Sequence, residues 1–110
     1  MIPRKWEVWL VDMPFEEVEG SKPRPALVID SQTQSLLVGT MTQHPPRDGY
    51  PNEYQLIDWK GAGLSIQTTL RLSKMVKLPP SSFLQKMGII RTVDQVNIRN
   101  MLREIAAKKE

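Results

Sequence analysis

The sequence contains no cysteine and only one histidine, His44. The first absence excludes disulfides and thiolate-bound metals, and it fits a reducing compartment. The second, with no His/Asp/Glu cluster at ligand spacing, gives no support to a metal site, and no cofactor is expected. Long apolar runs are also missing; nothing approaches the roughly 18 residues of a membrane span. The first seven residues, MIPRKWE, lack the apolar stretch of a secretory signal. A cytoplasmic protein with no membrane attachment is therefore expected. There is no G-x-S-x-G elbow, no P-loop and no G-x-G-x-x-G, so serine-hydrolase and nucleotide-binding chemistry lack a motif.

What is present is ordinary in amount and uneven in place. A length of 110 residues suits one domain, taken as 1–110. The composition, 40% hydrophobic and 25% charged, is that of a soluble globular protein. A net charge of +3 and a pI near 9.4 permit nucleic-acid binding without requiring it. Nine prolines and six glycines cut the chain into short pieces.

Most of those pieces read as strands. Glu7 to Met13 carries apolar residues on both faces and stops at Pro14. Residues 14–23 form a turn-rich loop, followed by a short apolar strand from Ala26 to Ile29. Leu36 to Thr42 is a third strand, 43–52 a proline-rich loop, and Glu53 to Ile57 a fourth strand. Asp58 to Leu64 is a glycine-containing turn. The clearest alternation runs from Ile66 to Leu72, with Ile66, Thr68, Leu70 and Leu72 on one face. Met75 to Leu78 extends it after a kink. Residues 81–90 read either as a helical turn closed at Gly88 or as a last strand over Lys86 to Ile90. A helix follows: Thr92 and Gln95 make a capping-box pattern, Asp94 suits the helix dipole, and Ile98, Met101, Leu102 and Ile105 form one stripe. Short strands with one packed helix give a mainly β, α+β fold, a small barrel whose closure is SH3-like or OB-like.

Two segments carry candidate chemistry. In Lys22-Pro-Arg-Pro25, each basic residue precedes a proline and is pushed into extended backbone. Lys22 and Arg24 should then project to the same side, preorganised to contact phosphate. The plainer alternative is a pair of solvated charges flanking a strand. In Thr42-Gln43-His44, a strand enters the proline-rich loop. There a threonine hydroxyl can bond a phosphate oxygen and a histidine can exchange protons near neutrality. The plainer alternative is a strand end and a loop histidine.

Glu7-Val-Trp-Leu-Val-Asp-Met-Pro14, the Gly20-Ser21 turn and Arg24-Pro-Ala-Leu-Val-Ile29 together resemble the N-terminal signature of MazF/PemK toxins. Val38 to Thr42, Gly63-Leu64, the 66–72 strand, Lys86 to Ile89 and the amphipathic end follow that family's order, so the resemblance covers nearly the whole chain. It implies an SH3-like barrel and an endoribonuclease toxin of a type II toxin–antitoxin system. Such a toxin cuts single-stranded RNA, including mRNA, without metal, by 2′-hydroxyl attack that leaves 2′,3′-cyclic phosphate and 5′-hydroxyl ends. It also implies a homodimer, a cognate antitoxin, and a DNA-binding complex with that antitoxin. Arg24 and Thr42 match the family's catalytic arginine and threonine. His44 is added as a proton acceptor, and Lys22, Gln43, Arg47, Gln67 and Arg71 as RNA contacts.

The chain departs from the family pattern twice. Trp6 stands where a glycine is usual, and Ser73 stands where some PemK-type members carry an aspartate two residues after an arginine. Without that carboxylate, His44 takes the proton or activity is weak or lost. Two other classes are a gyrase poison of the CcdB kind and an inert binder of RNA or protein. The gyrase poison acts through a C-terminal aromatic, and no aromatic follows Phe83 here.

Overall fold

The computed structural model describes residues 2–15 and 17–108. Six antiparallel strands precede one helix: β1 (Glu7–Pro14), β2 (Ser21–Ser31), β3 (Leu36–Thr42), β4 (Glu53–Gln55), β5 (Thr69–Leu78), β6 (Phe83–Ile89) and α1 (Thr92–Lys108). The strands form one sheet in the order β4-β5-β3-β2-β1-β6. This is the expected mainly β, α+β architecture with a C-terminal helix.

Period-two alternation gives the sheet two buried faces. Val8, Leu27, Met41, Leu70 and Leu72 belong to one core, against which Met101, Leu102 and Ile105 of α1 also pack around buried Ile98. The expected helical stripe is therefore the face that covers this core. Trp9, Val11, Ala26, Val28, Val38 and Leu78 form a second core on the alternate positions.

The sheet is open, with β4 and β6 at its edges, and two glycines bring the turn after β4 against β6. A Cβ on Gly63 would lie 2.0 Å from the Met87 carbonyl oxygen, and one on Gly88 would lie 2.3 Å from that of Ala62. The turn after β4 thus presses backbone to backbone on edge strand β6, a closeness that side chains would forbid.

Several boundaries differ from the sequence reading. Pro14 is the last residue of β1, paired with Ser21, so β2 begins five residues before Ala26. Pairing of β2 with β3 starts only at Ala26, leaving 21–25 as an edge where Pro23 and Pro25 are tolerated. Strand β4 is only three residues long. Ile66 is 45% exposed and lies outside β5, because Gln67 is spent holding the Leu56 carbonyl and the chain turns before Thr69. The kink in β5 is a bulge: Gly39 pairs with Met75 and Thr40 with Arg71, which leaves 72–74 unmatched. Residues 80–82 form a single 3-10 turn and β6 follows, the strand alternative in a longer form.

Helix α1 starts at Thr92, with Asp94 N–H and Gln95 N–H both donating to the Arg91 carbonyl. Gln95 reaches back as expected, but by donating from Nε2 to the Ile90 carbonyl at 2.6 Å.

Trp6 has φ +75°. This left-handed conformation is the physical reason a glycine suits the position. The ring offsets the strain by packing on the first core, with Lys5 and Arg99 over it at 5.3 and 5.9 Å.

Candidate phosphate-binding cleft

Two rows of side chains cross four strands on the face that holds the second core. Register pairs Ala26 with Thr40, Thr40 with Arg71, and Arg71 with Glu53. Two residues further along, Thr42 pairs with Thr69 and Thr69 with Gln55. Continuing the β2–β3 register by two residues sets Arg24 across from Thr42. The apolar face thus ends in a polar patch made of two arginines and a set of threonines.

A cleft of about 320 Å³ lies over this patch, lined by Met13, Arg24, Thr40, Met41, Thr42, Gln43, His44 and Arg71. A smaller one of about 90 Å³ shares Arg24, Met41, Thr42 and Gln43 with it and continues to Pro25, Leu64, Ile66 and Met87. Arg24 and Thr42 therefore stand where the two hollows meet, and Ser65 and Thr68 add polar groups to the smaller one.

Five of the residues picked from the sequence meet here: Arg24, Thr42, Gln43, His44 and Arg71. Arg24 is exposed, and among the described residues no hydrogen bond or ion pair engages its side chain. His44 N–H donates to the Thr42 hydroxyl at 3.4 Å, a long bond that folds the loop back toward the strand end. The other three stand apart from both clefts. Lys22 is exposed two residues from Arg24 on the free part of β2. Gln67 donates Nε2 to the Leu56 carbonyl at 2.7 Å. Arg47 is stacked on Tyr50 at 3.7 Å and paired with Glu53 at 3.0 Å.

Glu53, Thr40 and Met13 were not picked from the sequence. The Glu53 side chain is only 2% exposed and joins both Arg47 and Arg71, the latter at 3.3 Å. It also accepts the Arg47 backbone N–H at 3.0 Å. Chiefly the hydrogen bond from Arg47 holds the Glu53 carboxyl below its usual value, against the opposing effect of burial. Nothing in the sequence marks Glu53, because its partners come from a loop and from a strand 18 positions on. Thr40 carried a signal: it shares the strand face of Thr42 at i−2.

Among the described residues no group of three or more His, Asp or Glu could hold a metal ion. None of their helices is long and apolar enough to cross a membrane.

A six-stranded antiparallel sheet with one helix, and with Arg24 and Thr42 lining an open cleft, defines a small α+β protein. The chain belongs to the family of PemK-like, MazF-like toxins of type II toxin–antitoxin systems, whose sequence profile matches residues 4–106. No protein of curated function matches it. Among solved structures, it is similar to an endoribonuclease from a mycobacterial species in complex with its cognate antitoxin. The TM-score is 0.72 at 12% identity, over 96% of this chain and 95% of that one. A second mycobacterial endoribonuclease gives 0.70 at 12% identity, over 96% and 91%. At that identity the likeness speaks for the fold.

Proposed function

We propose that this chain is a cytoplasmic endoribonuclease toxin that cuts single-stranded RNA, mRNA included, without a metal ion. The observation that carries this reading is the convergence of Arg24, Thr42 and His44 on one open cleft. Arg24, free of any partner among the described residues, holds the scissile phosphate and stabilises the charge that grows on it. Thr42 donates to the same phosphate. His44 accepts the proton of the ribose 2′-hydroxyl as that oxygen attacks phosphorus. The P–O5′ bond breaks and the leaving 5′-oxygen takes a proton from water, giving a 2′,3′-cyclic phosphate and a 5′-hydroxyl.

Ser73 lies in the β5 bulge and offers no carboxylate. Glu53 is a poor replacement as base, since both its oxygens face arginine donors that favour its charged form. His44 remains the proton acceptor. Purified protein incubated with mixed-sequence RNA in chelator is expected to yield fragments with those two ends. Intact RNA, or ends carrying 5′-phosphate, overturns the mechanism.

The partners follow from the same surface. The structural neighbour with a bound antitoxin, the exposed basic pair Lys22 and Arg24, and exposed Phe15 and Val18 at the β1–β2 hairpin tip support an acidic antitoxin segment lying over the cleft. Antitoxin and an uncleavable RNA fragment are expected to compete in titration; simultaneous binding without mutual weakening refutes occlusion. The exposed apolar residues Ile57, Val93 and Val96 support the homodimer, for which light scattering at micromolar concentration is expected to give twice the chain mass.

A further inference from the structure

The Thr40 hydroxyl is buried and has no hydrogen-bond partner among the described residues, yet Thr40 lines the larger cleft. Buried hydroxyls are rarely left unpaired, and one that lines a cleft calls for a ligand acceptor or a water. Beside it across the register stands Arg71. The Arg71 Nε faces Glu53 in an ion pair at 3.3 Å that lacks hydrogen-bond geometry, and its terminal nitrogens are unengaged among the described residues. A donor pair of hydroxyl and guanidinium thus repeats the Thr42–Arg24 pair one row away. Two residues along a strand span about 6.7 Å, close to the separation of successive phosphates on a nucleic-acid strand.

We propose that Thr40 and Arg71 form a second phosphate subsite, which takes the phosphate adjacent to the scissile one, and that Glu53 is the residue that positions Arg71 for it. This rests on the ribonuclease reading and adds a requirement to it: a substrate engages two consecutive phosphates. Glu53, fixed by the Arg47 backbone and side chain, draws Nε back and leaves the terminal nitrogens to face the cleft.

The test uses mixed-sequence 2′-O-methyl trinucleotides, which lack the attacking hydroxyl. In one set both internucleotide phosphates are charged; in two others one or the other is a neutral methylphosphonate. Thr40→Val is expected to weaken binding of the fully charged probe roughly tenfold or more, as for a lost hydrogen bond to a charged group. It should have no effect on the probe whose adjacent phosphate is neutral. Arg71→Ala is expected to lower the log–log salt slope by about 0.7, and Thr40→Val to leave that slope unchanged. Glu53→Gln is expected to weaken only the probes that keep the adjacent phosphate charged, whereas a merely structural role would weaken all three alike. Thr40→Val should not lower the thermal midpoint, because it removes an unpaired buried group. Equal effects on every probe, or none on any, overturn the subsite. Probe binding that is indifferent to Arg24→Ala would instead overturn the ribonuclease reading on which the subsite rests.

Discussion

Arg24→Ala and Thr42→Ala are each expected to slow RNA cleavage by roughly 10²–10³, the usual cost of losing one preorganised donor to a developing negative charge. The size follows from where the two side chains sit. Arg24 extends from the free edge of β2, kept extended by Pro25 and with no carboxylate to neutralise it among the described residues. Its guanidinium therefore reaches a phosphate with its full charge, unlike Arg47, which is already committed to Glu53. Thr42 is anchored by β-pairing to Thr69 and joins Arg24 where the two hollows meet. Neither side chain packs a core, so each change should cost about 0.5 kcal/mol of stability or less. His44→Ala is expected to cost roughly 10²–10⁴, as for a lost general base. The check is a single-turnover cleavage rate measured beside the urea midpoint of each variant. An Arg24→Ala protein that is folded and cuts at the wild-type rate overturns the catalytic assignment and favours an inert binder.

What was legible in the sequence was local. Period-two patterning marked β1 and the start of β5, and the 3.6-residue stripe marked α1, because each face is buried against one layer. Arg24 and Thr42 were legible for a similar reason: each lies within a short stretch whose backbone is set by prolines or by a strand end. The rest depends on contacts between distant positions. Ile66 fits the strand alternation, but Gln67 bonding to Leu56 takes residues 66–68 out of it. The proximity of Gly63 and Gly88 sets the turn after β4 on β6 across 25 positions and leaves no mark in either local pattern. Asp94 was read as a dipole partner at the start of a helix; its main role is a long-range one.

That role sets the largest expected loss of stability. Asp94→Ala is expected to destabilise the protein by about 3–5 kcal/mol, the scale for leaving three donors without an acceptor at about 1–3 kcal/mol each. Asp94 is 0% exposed. It accepts the Tyr54 hydroxyl at 2.5 Å and the backbone N–H groups of Ile57 and Asp58, both at 2.9 Å. Desolvation first, and then the bond to Asp94, push the Tyr54 hydroxyl up to about 12, so it stays protonated and remains a donor at ordinary pH. Truncation would leave three donors without their acceptor and leave Asn97, which donates to the Tyr54 hydroxyl at 2.9 Å, as the remaining hydrogen bond from α1 to β4 among the described residues. The segment after β4 leads into the turn that presses Gly63 on β6, and then to Leu64 and Ile66 of the smaller hollow. Asp94→Asn keeps one acceptor oxygen and should fall between wild type and alanine. Urea unfolding is expected to show a lower midpoint with an unchanged slope, and the thermal midpoint should drop by roughly 15–25 °C. A loss under about 1 kcal/mol would mean that the three bonds are replaced by water at little cost. In that case Asp94 is not what holds the helix to the sheet. Activity separates this residue from the cleft: the folded fraction of Asp94→Asn should cleave near the wild-type rate, whereas Arg24→Ala should be fully folded and slow.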